Sequence, residues 1–165
     1  MKETDLKILR FMRTRGHTPA VEKAAQLIAR SGENGYLWIG IGVAGAAFDQ
    51  PRRKQWLFSA AIGPVAIGLN FGIKLITKRP RPSLEGLPPL GGAPSSLSFP
   101  SAHATASFAA ATAISRFAPE LKLALFGAAA TMAVTRPYLG MHYPSDVVAG
   151  AVLGSALGRV VPLPE

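Results

Sequence analysis

The sequence predicts an all-α fold, an integral-membrane helical bundle of about five transmembrane helices with an amphipathic N-terminal helical region. Three observations carry that expectation. Gln55 to Ile73 runs uncharged for 19 residues, long enough to cross the hydrocarbon core of a bilayer. Other apolar stretches flank it, separated by breaks rich in Lys, Arg, Pro and Gly. Gly150, Gly154 and Gly158 recur at four-residue spacing in the last of these stretches, a small-residue stripe that lets helices approach closely in a membrane. One domain, residues 1–165, is expected, with surface helices over 1–32 and the membrane core over 33–165, because no shift in composition marks a second unit.

In residues 1–30 the apolar positions Leu6, Leu9 and Met12, and later Val21, Ala24, Ala25 and Ile28, alternate with Lys and Arg at helical spacing. Pro19 separates two short amphipathic helices of a kind that lies on anionic membrane surfaces or on the solvated face of a packed domain. The first 17 residues have no apolar core of signal-peptide length, so no cleaved secretion signal is expected. Gly35 to Phe48 is uncharged and opens with Tyr36 and Trp38, as a short first span with interfacial aromatics would. A charged turn, Asp49 to Lys54, leads into the long apolar run. Lys74 to Pro100 reads as a long ordered loop, of the kind that carries function in compact domains. Ser101 to Phe117 and Leu121 to about Val134 read as helices, Met141 to Asp146 as a second polar break, and Pro144 to about Val161 as the last helix.

Eighteen Lys and Arg against nine Asp and Glu leave a net charge of +9, which calls for an anionic partner: nucleic acid, anionic lipid or a phosphorylated substrate. The absence of cysteine excludes disulfides, thiolate metal sites and thiol catalysis. A mean hydropathy of +0.25 leaves a soluble helical bundle open, since several apolar stretches are shorter than an isolated transmembrane helix.

Three polar clusters sit where apolar helices end: Lys74 with Arg81 and Pro82, then Pro100, Ser101 and His103, then Arg136, His142 and Asp146. Each has an ordinary reading alone, with Lys74 as an interfacial anchor, Ser101 as a helix N-cap and His142 with Asp146 as a local pair. Together, three cations, two histidines and an aspartate at apolar helix boundaries are costly unless they serve a ligand.

These clusters resemble the signature of the type 2 phosphatidic acid phosphatase (PAP2) superfamily, which also contains bacterial acid phosphatases and vanadium haloperoxidases. Lys74, Arg81 and Pro82 meet its first element, Pro100, Ser101 and His103 its second, and Arg136, His142 and Asp146 its third. Ala102 stands where the family usually has Gly, and Thr135 where it has Ser. The resemblance implies a metal-independent phosphoric monoester hydrolase with no cofactor and no metal. His142 would be the nucleophile that forms a phosphohistidine, Asp146 would hold its other ring nitrogen, and His103 would protonate the leaving oxygen and then activate water. Lys74, Arg81, Ser101, Ala102 and Arg136 would bind the phosphate, through charge, hydroxyl and the backbone at a helix N-terminus.

The implied partners are a lipid-phosphate substrate and membrane lipids, not nucleic acid. The chain looks like small actinobacterial members of the family linked to polyprenyl phosphates in cell-wall arabinan synthesis, decaprenylphosphoryl-5-phosphoribose in particular. Phosphatidic acid, phosphatidylglycerol phosphate and undecaprenyl pyrophosphate stay open, as do a non-catalytic lipid-phosphate-binding protein and a vanadate-dependent peroxidase. Oligomeric state is left open, with helix packing through Gly150, Gly154 and Gly158 as one route. A multi-pass protein of the bacterial plasma membrane is expected. Twelve of the eighteen basic residues fall on the side of the N-terminus and the motifs and six on the other, so the positive-inside rule predicts a cytoplasmic active site.

Overall fold

A computed structural model describes residues 2–165; the first residue of the expected domain, Met1, lies outside them. Seven α-helices follow one another: α1 (Lys2–Thr14), α2 (Pro19–Ser31), α3 (Tyr36–Phe48), α4 (Arg53–Thr77), α5 (Ala102–Phe117), α6 (Lys122–Tyr138) and α7 (Pro144–Val160). No strand occurs among the described residues. The loop between α4 and α5 is pinned by an isolated bridge between Pro80 and Leu97.

Helix α5 is the centre. Its residues Ala104–Ala106 and Ala109–Ile114 are buried, because Ala and Thr leave room for neighbours on every side. It packs against α4, α6 and α7, while α3 lies along the first half of α4. Trp38 of α3 is fully buried and gives its indole N–H to Ser107 Oγ of α5 at 2.9 Å, so the largest core side chain also satisfies its one polar atom. Against α7 the fit is closer. A Cβ at Gly150, Gly154 or Gly158 would collide with the carbonyl oxygens of Ser101, Thr105 and Ala109. The glycine stripe therefore packs α7 on α5 within the chain and is not presented to a second copy.

Three sequence expectations change. Helix α4 continues past Ile73 to Thr77, so Lys74 stands in its last turn and not at the start of the loop; Lys78 ends the helix in the left-handed conformation. Helix α6 runs through Arg136 and Pro137 to Tyr138, four residues beyond Val134, since proline in the last turn removes a single helix hydrogen bond. Helices α1 and α2 are amphipathic as expected, but the inward face of α2 is Ala25, Ile28 and Ala29, whereas Val21 and Ala24 are exposed. Both helices pack on α6, and α1 also touches α7.

The ends of the bundle differ. Arg52, in the turn between α3 and α4, donates to Phe117 O (2.9 Å) and Glu120 (2.7 Å), which ties that turn to the one between α5 and α6. The opposite end gathers the C-terminal turns of α4 and α6, the N-termini of α5 and α7, the α4–α5 loop and the α2–α3 junction.

Candidate active site

At this second end lies a cavity of about 430 Å³ lined by Lys74, Arg81, Ala102, His103, Arg136 and His142, with Gly32, Glu33, Asn34 and Asn70 on its walls. Six of the eight residues expected from the sequence thus face one space. The chain delivers them by ordinary helix-end chemistry. Gly140, at φ +74°, closes α6 with the Gly140 N–H on Pro137 O and the Met141 N–H on Arg136 O, both at 2.9 Å, a Schellman motif. That turn places His142 six residues after Arg136 yet beside it in the cavity wall. Asp146 sits in the first turn of α7, where its Oδ2 accepts the Tyr143 N–H at 2.9 Å.

The neighbours of His142 define its tautomer. Its Nε2 lies 3.2 Å from Arg81 Nη1, which can only donate, so Nε2 is the acceptor and the proton belongs on Nδ1. Nδ1 faces Asp146 Oδ2 at 3.5 Å, an ion-pair distance longer than a normal hydrogen bond, and no closer partner serves this buried nitrogen. Burial pushes the His142 pKa down to about 4; the Asp146 contact opposes this, and the charges of Arg81, Arg136 and Lys74 add to it. Neutral imidazole with a basic Nε2 is therefore the resting form at physiological pH.

The cations are held in different ways. Lys74 directs its ammonium at three carbonyls of the loop, Leu97 O (3.3 Å), Ser98 O (3.0 Å) and Pro100 O (2.8 Å). It supplies charge to the cavity and staples the loop to α4. Arg81 is fixed by Nε on Ser95 O (2.8 Å) and Nη1 on Met141 O (2.7 Å), and burial lowers its pKa, offset in part by Asp146. Arg136 is 6% exposed, and its Nε is buried with no partner. No side-chain hydrogen bond of Arg136 occurs among the described residues, which leaves its fork free for an anion.

Ser101 and His103 show the second motif at work. Ser101 is fully buried and accepts the Ala104 N–H at 3.5 Å, capping α5; it is not among the residues that line the cavity. Ala102 does line it, at the N-terminal end of α5. His103 gives Nε2–H to Ala29 O of α2 at 3.0 Å, so its Nδ1 is the nitrogen left to exchange a proton. His17, the third histidine, binds Glu22 and Met12 O and stacks on Tyr138, outside the cavity.

Sequence reasoning missed four contributors. Arg79 donates to Asp146 Oδ1 (2.7 Å) and to Asp5 (2.8 Å) of α1. Asn70 donates to Pro100 O (3.2 Å) and Thr105 (2.9 Å) one helical turn before Lys74. Ala29 holds His103 through its carbonyl, a contact no side chain announces. The signals present were Asp5 in a mostly basic segment and Asn70 inside an apolar span, both costly to bury without a partner.

The arrangement brings a neutral histidine with a free Nε2 lone pair, a second histidine and three cations around one space, a set of groups suited to phosphoryl transfer without a thiol. The chain belongs to the PAP2 superfamily, whose signature matches residues 38–163, and it is a phosphatase of that class. It is 37% identical over 143 residues to the decaprenylphosphoryl-5-phosphoribose phosphatase of Mycobacterium tuberculosis, a match that covers 87% of this chain and 80% of that protein. Its fold is similar to the crystal structure of Aquifex aeolicus LpxE, with a TM-score of 0.76 and 26% identity over 94% of this chain and 92% of the other. A transmembrane PAP2 type phosphatidylglycerolphosphate phosphatase from Bacillus subtilis shares the fold at a TM-score of 0.51 and 24% identity, over 95% and 92% of the two chains.

Proposed function

We propose that this chain is a multi-pass membrane enzyme that hydrolyses a polyprenyl-linked phosphomonoester, with decaprenylphosphoryl-5-phosphoribose as the leading substrate. The Arg136 guanidinium carries the reading: it is buried in the wall of the cavity it shares with Arg81 and His142, and its Nε has no hydrogen-bond partner, so its charge is costly unless an anion completes it. A phosphate bridging Arg81 and Arg136 draws the Arg81 hydrogen bond from Nε2 onto a phosphate oxygen, and the freed lone pair attacks phosphorus in line. The monoanion of the substrate passes its proton to the free Nδ1 of His103, whose Nε2–H stays on Ala29 O, and the bond to the leaving alcohol breaks as His103 gives that proton to its oxygen. Neutral His103 then takes a proton from water, the hydroxide attacks the phosphohistidine, the N–P bond breaks, and inorganic phosphate leaves. Lys74 and the N-terminus of α5 stabilise the charge on the equatorial oxygens.

Membrane insertion through α3 to α7, with α1 and α2 at the interface, is supported by the outer surface of the bundle. Phe48, Ile76 and Leu123 are each more than four-fifths exposed, and Val65, Val148 and Val152 more than half. Among the described residues only Gln50–Thr77 is long and apolar enough by itself to cross a bilayer, so the shorter helices are accommodated by local thinning of the bilayer and by packing on their neighbours. The grouping of the turns at two ends, with the excess of basic residues at the site end, supports a cytoplasmic active site. The chain has no cysteine, so single cysteines at the exposed positions Ser83 and Gln50 can be labelled in intact cells with an impermeant reagent. Position 50 should label and position 83 should not; the reverse pattern overturns the assignment.

The substrate is tested by phosphate release from decaprenylphosphoryl-5-phosphoribose, phosphatidic acid, phosphatidylglycerol phosphate and undecaprenyl pyrophosphate in mixed micelles. The first should give the highest kcat/KM. A marked preference for a diacylglycerol phosphate would remove the polyprenyl reading.

A further inference from the structure

Asp5 lies in an N-terminal helix that the chemistry above does not use, yet it is 5% exposed. Its Oδ1 accepts the Ser145 N–H at 2.9 Å, and its Oδ2 accepts both the Ser145 hydroxyl at 2.6 Å and Arg79 Nη2 at 2.8 Å. Arg79 Nη1 continues to Ser145 Oγ at 2.8 Å and Asp146 Oδ1 at 2.7 Å, and its guanidinium carbon sits 4.1 Å above the Tyr143 ring. Asp146 is wholly buried and turns its second oxygen to the Tyr143 N–H and to His142 Nδ1. A continuous chain of contacts therefore runs from α1 through Arg79 and Asp146 to the nucleophile.

We propose that Arg79, clamped by Asp5, is a positioning residue that fixes the rotation of the Asp146 carboxylate and through it the Nδ1–H tautomer of His142, which makes α1 a working part of the catalytic apparatus. This rests on the phosphatase reading only in taking His142 as nucleophile. The planar fork matters, because one guanidinium spans two carboxylates with separate nitrogens and stacks on Tyr143, which a lysine ammonium cannot reproduce. A free Asp146 could turn toward Arg81, whose charge already lowers its neighbour's affinity for protons; Arg79 satisfies the oxygen that would otherwise seek that partner.

Two readouts test it. With three histidines in the chain, ¹⁵N-imidazole NMR of the detergent-solubilised protein resolves each ring. The parent should show an Nδ1–H imidazole that disappears in His142→Ala and is distinct from the His17 ring, whose Nδ1 faces Glu22, and that His142 signature should be lost or averaged between tautomers in Arg79→Ala. Hydrolysis of p-nitrophenyl phosphate, a phosphomonoester independent of the lipid assignment, should fall in kcat by about 10- to 100-fold in Arg79→Ala with KM within about twofold. Arg79→Lys should recover part of the loss, Asp5→Asn should lose less than Arg79→Ala, and adding Asp5→Asn to Arg79→Ala should lower kcat no further. An unchanged His142 signature in folded Arg79→Ala overturns the proposal whatever the activity. So does a rise in KM at constant kcat, which would make Arg79 a phosphate ligand. If Arg79→Ala does not fold, the same readings are taken on Arg79→Lys and Asp5→Asn. Parent protein that shows the tautomer but no turnover would count against the phosphatase reading alone, and a parent without the tautomer would overturn the relay.

Discussion

Along its inner face α5 meets α7 through bare backbone, with three glycines set against the carbonyls of Ser101, Thr105 and Ala109. At the N-terminal end of the same helix the contacts are side chain to backbone: Lys74 on three loop carbonyls, Asn70 on Pro100 O and His103 on Ala29 O. The seam has no room for a Cβ at any of the three glycines. The polar end keeps an orphan guanidinium and an open cavity. One helix thus serves as a rigid rod over most of its length and as a site wall at its tip, and the rigidity of the first part lets the second hold unpaired charge.

The comparison is broken most severely at the seam. Gly154→Leu drives a side chain into the Thr105 carbonyl and the Ala109 N–H, both backbone groups that cannot yield, so a loss of about 4 kcal/mol or more and no monodisperse protein in detergent are expected. Size-exclusion chromatography and thermal unfolding check this. Survival of Gly154→Leu with normal unfolding would show that the seam is looser than described.

At the polar end the fold should survive and the chemistry should not. Arg136→Gln removes an unpaired buried charge, so its unfolding temperature should hold or rise while kcat/KM falls by roughly 10²-fold or more. A destabilised Arg136→Gln would mean the guanidinium has a structural partner. Lys74→Met lies between the two classes. It frees three loop carbonyls and removes charge, and should cost about 2 kcal/mol as well as activity, with amide exchange rising selectively at Ser98 to Ser101.

The smallest effect is in pH. His142 has its folded pKa lowered to about 4 from an ordinary 6.5, so the unfolded chain binds a proton the folded chain refuses. The contribution of this group to stability is complete above about pH 6.5 and is lost as pH falls toward 4. Arg81→Gln removes one of the charges that depress it, which should move the midpoint upward and narrow that window, read by NMR titration of the His142 ring.

The apolar spans, their breaks and the three motif clusters were legible in the sequence because each is a local pattern: a run of uncharged residues, a proline turn, a spaced signature. The roles of Asp5 and Ala29 were not, since both depend on α1 and α2 folding back onto α6 and α7, and a basic amphipathic segment reads equally as a membrane-surface helix. Ser101 illustrates the same limit at one residue. Its motif position points to phosphate, its N-cap position to the backbone, and only the placement of its hydroxyl on Ala104 N–H shows the second at work. The end of α6 was misplaced because proline normally stops a helix; here the Gly140 turn, not Pro137, stops it.

The central claim is that His142 Nε2 becomes covalently phosphorylated. Rapid acid-free quenching of the enzyme during turnover of ³²P-labelled decaprenylphosphoryl-5-phosphoribose, followed by peptide mapping, tests it most directly. The account predicts a label that is stable to base, labile to acid, located on the peptide containing His142 and absent from His142→Ala, whose kcat should fall by about 10⁴-fold or more. Steady hydrolysis by His142→Ala, or a base-labile label on another residue, would contradict it.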